Sequence, residues 1–129
     1  MSPAGRSVVL VVTEELGQGD EADFFHALRE FDESGRSWVN WTVMDALMKP
    51  LPAGVGVVLL DLGLFVSLHR EVVEKFLAEG TPALLVHLTD DRPETVAFLK
   101  GCPRTQRLKK PASIHEVLAL LGTMMGNPG

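Results

Sequence analysis

The stretch Val57-Val58-Leu59-Leu60-Asp61 decides how this chain folds. Apolar residues in an unbroken run, half of them β-branched, suit a strand buried on both faces, the habit of a central parallel strand. An acid at the carboxyl end of such a strand lies at the rim of the sheet, where open α/β folds place their ligands. The rest of the chain therefore matters first for what it brings to the neighbourhood of Asp61.

On the amino-terminal side, residues 7–12 (SVVLVV) predict a second buried strand that runs out into Thr13-Glu14-Glu15. Asp20 and Asp23 suit the first turn of a helix, since carboxylates offset its positive end. Phe24, Phe25, Leu28 and Phe31 give that helix its apolar face, and Gly35 ends it. Residues 38–44 then alternate Val39, Trp41 and Val43 with Asn40 and Thr42, the pattern of an edge or half-exposed strand. Trp38 and Trp41, three apart in a strand, point to opposite faces, so one is predicted in the core. A helix begun at Asp45 is cut to a turn or so by Pro50 and Pro52.

On the carboxyl-terminal side, Gly63-Leu64-Phe65 forms a loop. Ser67 is placed to cap a helix with Val72, Val73, Phe76 and Leu77 on one face, stopped by Gly80. Pro82 opens a further apolar strand through Leu88 (PALLVHL). Asp91-Arg92-Pro93-Glu94 has capping-box spacing for a short helix carrying Val96, Phe98 and Leu99. After Gly101-Cys102-Pro103, residues 105–109 predict a short, more polar edge strand. Ser113-Ile114-His115-Glu116 is a second capping box, opening a helix with Ile114, Val117, Leu118 and Leu121 on one side. Residues 126–129 read as a frayed tail.

Buried strands alternating with helices demand right-handed crossovers and a parallel sheet covered on both faces. The expected architecture is α/β: a flavodoxin-like, doubly wound, five-stranded parallel sheet in the order 2-1-3-4-5, with a shortened second helix. Its switch point lies between the first and third strands, which sets Glu14 or Glu15 beside Asp61.

Composition narrows the function classes. The 129 residues make a single domain, 1–129, with its core over about 7–125. A net charge of −5 and the lack of a basic tract argue against nucleic acid, which wants a basic stripe for its phosphates. A lone cysteine, Cys102, excludes an internal disulfide and fits a reducing compartment. No signal-peptide core or membrane-length apolar run is present, so the expectation is a cytoplasmic protein without a membrane partner. His26, His69 and His115 fall on three different predicted helices and lack metal-ligand spacing.

Four places, in order, resemble the receiver domain of bacterial two-component response regulators, over nearly the whole chain from Val8 to about Leu121. Val-Val-Thr13-Glu14-Glu15 is similar to the acidic pair that holds magnesium. Val-Leu-Leu-Asp61-Leu resembles the phosphoacceptor strand. Pro82 begins the strand that ends in a switch residue, and Lys110-Pro111 before a capped helix resembles the Lys-Pro step after the fifth strand. The resemblance implies Asp61 as phosphoacceptor, Glu14, Asp61 and the Gly63 backbone carbonyl as magnesium ligands, and Lys110 as the phosphate-binding cation. Lys109 competes with Lys110 for that last role. An acyl phosphate needs an ionised, in-line carboxylate, a cation to offset phosphoryl charge and a lysine as a point charge.

The departures fall on the same machinery. Thr13 replaces the first acid if Thr13-Glu14 is the register; a one-residue shift makes the pair Glu14-Glu15. The switch position, five after Pro82, is His87, with Thr89 two further on, and the position three before Lys110, aromatic in the family, is Arg107. Glutamate reaches one methylene further than aspartate, which a small octahedral ion tolerates poorly, so the Mg2+ site is expected to be weak or absent. The resemblance therefore points to an atypical, pseudo-receiver type. The expected function is a stand-alone signalling module that acts through protein–protein contact and is not an enzyme. Its partner face, by resemblance, is the fourth helix, fifth strand and fifth helix, roughly residues 92–125, made basic by Arg104, Arg107 and Lys109. A histidine kinase and a second copy of the chain are the partners the family implies. The rival readings are a working Mg2+-dependent phosphoreceiver and a flavodoxin-like small-molecule binder; no Gly-rich phosphate loop supports the latter.

Overall fold

Residues 8–14, 19–80 and 83–125 are described by the structure, a computed structural model. Among them the elements run β1 (Val8–Thr13), α1 (Gly19–Phe31), β2 (Ser37–Thr42), α2 (Val43–Met48), β3 (Val55–Asp61), α3 (Ser67–Ala78), β4 (Leu84–Leu88), α4 (Pro93–Lys100), β5 (Thr105–Lys109) and α5 (Ile114–Met124). All neighbouring strands pair in parallel, in the order β2-β1-β3-β4-β5. The doubly wound sheet expected from the alternation is thus the observed one. No described helix is long and apolar enough to cross a membrane.

β3 is buried at every one of its positions, as a central strand with helices on both faces must be. Its alternate residues serve two separate cores. Val58 and Leu60 join Leu10, Val12, Leu84 and Val86 under α3, where Val72, Val73 and Phe76 are fully covered. Val57 and Leu59 join Val9, Val11 and Leu85 under α1 and α5, against Leu28, Val117 and Leu121. Each such Val, Leu or Phe contributes about 1.5–3 kcal/mol when fully buried. The period of two along β3 therefore welds both helical layers to one strand.

Several local expectations shift by a residue or two. The buried face of α1 centres on Phe25 and Leu28, and Phe31 is exposed. β2 ends at Thr42 because Thr42 leaves the strand to cap α2: its Oγ1 accepts from Asp45 N–H and its N–H donates to Asp45 Oδ2. Trp38 and Trp41 do take opposite faces, but both are half-buried, one against each core. Trp38 also donates its indole N–H to Asp32 Oδ2 at 2.8 Å, fastening the edge strand to the end of α1. Gly35 takes the left-handed conformation (φ 81°) in the turn between them.

Ser67 begins α3 rather than capping it. The cap is Val66, and His69 returns Nδ1 to accept the Val66 N–H at 3.1 Å. α4 is not opened by a capping box at Asp91 either: its cap is Arg92, and Asp91 instead pairs with Lys109. The Ser113–Glu116 box of α5 forms as expected. Pro82, Glu15 and the 126–129 tail lie outside the described residues.

Candidate functional site

Asp61 ends β3 with its side chain only 3% exposed. The parallel register sets it against His87 of β4, and alternation turns both side chains to the face covered by α1 and α5. His87 Nδ1 lies 3.1 Å from Asp61 Oδ1. A carboxylate only accepts, so Nδ1 carries the proton that is donated to Asp61. Nε2 of His87 is buried and has no hydrogen-bond partner among the described residues. The ring is covered by Phe24 of α1, stacked at 5.1 Å and 25°.

The third member arrives from the far side of β5. Lys110 N–H donates to Leu88 O, and the Lys110–Pro111 peptide is cis. From there Lys110 Nζ meets Asp61 Oδ1 at 2.8 Å. Lys109 points the other way, 2.6 Å from Asp91 Oδ2. Of the two adjacent lysines, it is Lys110 that reaches the carboxylate. One carboxylate oxygen thus receives an ammonium and an imidazole N–H, in a place almost without water. The charge is compensated, which a buried carboxylate requires.

Glu14 and Gly63 take other roles. Glu14 Oε2 lies 2.7 Å from Nε2 of the buried His69, whose Nδ1 is already an acceptor, so the proton is on Nε2 and donates to Glu14. The Gly63 carbonyl accepts the N–H groups of both Thr89 and Asp90 at 3.2 Å. Thr13 is buried, and Asn40 Nδ2 donates to its Oγ1 at 3.3 Å. Magnesium wants several free oxygens at one point. Here the Gly63 oxygen is doubly used and Glu14 is held by His69, and no set of three or more His, Cys, Asp or Glu converges among the described residues. These residues do not fit the ion in this arrangement.

A second polar cluster, not anticipated from the sequence, lies beside the first. Asp90 is buried and accepts from Arg92 through the backbone N–H, Nε and Nη2, from Phe65 N–H at 3.0 Å, and from Thr95 Oγ1. Arg92 Nη2 also donates to Phe65 O at 2.9 Å. The Arg92 guanidinium holds the Asp90 carboxyl far below the usual carboxylate range. The pair locks the loop after β3 onto the start of α4. The only hint in the sequence is an Asp two residues before an Arg-Pro step, a spacing that suits an Asx turn. The sequence places His69 on a helix without metal-ligand spacing, and its pairing with Glu14 depends on a loop length that no local pattern reports.

No family model and no curated protein matches the sequence. Among solved structures, the chain is similar to the receiver domain of the Francisella response regulator 1452, with a TM-score of 0.62 and 15% identity, over 96% of this chain and 100% of that one. The fold is that of a response-regulator receiver domain.

Proposed function

We propose that this chain is a receiver-like signalling module that acts by protein–protein contact and whose phosphorylation site is degenerate. One observation carries the reading. Asp61, where a phosphoacceptor would stand, is buried, and its Oδ1 is taken by both Lys110 and His87. A nucleophilic carboxylate needs an approach path for the phosphoryl donor and a cation to screen it. Phe24 stacks on the His87 ring that pairs with Asp61, and the described residues nearby do not offer a magnesium ligand set. With the phosphoryl switch lost, the function rests on surface recognition. The proposed surface is formed by α4, β5 and α5, where Lys100 and Arg107 stand out against an acidic protein.

The 2.8 Å approach of Lys110 to Asp61 favours a second reading, a working phosphoreceiver with an unusual switch. Intact-mass spectrometry after incubation with acetyl phosphate and Mg2+ separates the two. The proposal expects no adduct. A single phosphoryl adduct that disappears in Asp61→Asn overturns it.

A further inference from the structure

The loop after β3 presents an apolar surface that the site around Asp61 does not absorb. Six large apolar side chains are exposed among the described residues, and three of them, Leu64, Val66 and Leu68, come from this one segment. Val66 lines a groove of about 560 Å³ between the start of α3 and α4. That volume falls within the roughly 300–1,000 Å³ of small-molecule sites. Phe65 and Phe98 line it too, with ring centroids 5.8 Å apart and planes 36° from each other.

Two guanidiniums border the same groove, and each has donors to spare. Arg70 lies over the Phe98 ring, 4.4 Å from its centroid. Its carboxylate neighbour, Glu74, stands at 3.6 Å, too far to accept a hydrogen bond. Arg92 gives Nε and Nη2 to Asp90 and Phe65, which leaves Nη1 unspent. The two side chains are 59% and 49% exposed, so their spare donors are open to an incoming ligand. Glu94 is the one acid in the lining.

These parts select a ligand by its chemistry. A guanidinium fork takes a carboxylate through parallel N–H groups and also stacks on aromatic rings. A tilted aromatic pair can be extended by a third ring in edge-to-face contact, which favours an aromatic body over an aliphatic one. Glu94 repels a dianion more than a monoanion, which favours a carboxylate over a phosphate.

We propose that the α3–α4 groove binds an aromatic monocarboxylate, its carboxylate shared by Arg70 and Arg92 and its ring packed against Val66 and the Phe65–Phe98 pair. The Arg92–Asp90 lock stays closed, because the ligand draws on Nη1 of Arg92 and leaves Nε and Nη2 in place. Asp61 takes no part in this site, which stands whether or not that carboxylate is phosphorylated.

The test uses the whole chain, isotopically labelled, with indole-3-acetate as the probe. The comparison compounds are 3-methylindole, which lacks the carboxylate, and octanoate, which lacks the ring. NMR titration is expected to shift the Arg70 Nε–H, the Val66 methyls and the Phe65 and Phe98 rings, saturating at about millimolar concentration, the range open to so small a ligand. 3-Methylindole should bind at least about tenfold more weakly, the factor that one charge-assisted contact supplies. Octanoate should bind at least about threefold more weakly, the factor of one ring–ring contact. Arg70→Gln should lower the affinity for indole-3-acetate at least about tenfold, and Arg70→Lys should restore part of that loss, since an ammonium cannot fork. The Arg70 side chain is exposed and outside the Arg92–Asp90 lock, so both variants should melt within about 2 °C of the parent. Either comparison compound binding as tightly as indole-3-acetate, binding that survives Arg70→Gln, shifts mapping elsewhere, or no saturation overturns the proposal. A phosphoryl adduct on Asp61 would sink the degenerate-site reading and leave these shifts in place.

Discussion

Breaking the Asp61–Lys110 pair from either side should give unequal costs, and the inequality follows from burial. Asp61 is 3% exposed and Lys110 is 21% exposed, on a flexible stem. Lys110→Met leaves a buried carboxylate with the His87 N–H as its one partner among the described residues, close to the case in which removing one partner of a buried pair costs about 3–5 kcal/mol. Because one-fifth of the lysine already meets water, the lower end applies, about 3 kcal/mol. Asp61→Asn strands the lysine instead, but its ammonium can swing out to solvent. The cost there is the lost charge-assisted contact, about 1–2 kcal/mol. In the double variant neither charge is stranded, and it should cost no more than about 2 kcal/mol. The coupling energy is then about 2–3 kcal/mol, far beyond the roughly 0.5 kcal/mol scatter of independent sites. Urea unfolding at pH 7, followed by the fluorescence of Trp38 and Trp41, measures all four proteins. Strictly additive costs, or a larger cost for Asp61→Asn than for Lys110→Met, would refute the reasoning.

Two further outcomes are expected. Asp90 has a folded-state carboxyl far below its ordinary value near 3.8, so on acidification the unfolded chain takes up the proton first. The stability it provides is whole above about pH 4 and is lost as the pH falls toward its folded value; Asp90→Asn should flatten the acid limb of a stability–pH curve below pH 4 and speed hydrogen exchange at the Phe65 amide, and an unchanged acid limb would count against the Arg92–Asp90 lock. Gly35→Ala meets open space but must hold φ at 81°, so it should cost about 1 kcal/mol in the same urea assay, and a neutral result would mean the turn relaxes to another conformation.

The fold was legible because its signals are local. A short unbroken apolar run such as VVLL, rich in β-branched residues and bounded by Gly54 and Gly63, suits a strand covered on both faces, and capping boxes mark helix starts within four residues, as Ser113 and Glu116 show. Parallel order then follows from connection handedness, without side-chain detail. The meeting of Asp61, His87 and Lys110 was partly legible, since each stands at a strand end or just after one, on the same edge. What each side chain does there was not. Glu14 pairs with His69 across 55 positions of sequence, Gly63 gives its oxygen to Thr89 and Asp90, and Phe24 lies on His87. Each depends on loop shape and rotamer, to which composition and spacing are blind. The exposure of Phe31 shows the converse failure: a helical apolar stripe extended one turn beyond the core it serves.

The two polar clusters also bear on how a partner at the α4–β5–α5 surface would be felt elsewhere. That surface has one element, α4, that starts at the Arg92–Asp90 lock and another, β5, that ends at the Lys110–Asp61 contact. Both locks are closed already, each with its charge compensated by a named partner. Coupling between sites requires an element with two arrangements that the sites favour differently. A surface held between two closed locks offers a partner one fixed shape, so recognition there is expected to gain affinity from preorganisation rather than from a change of state.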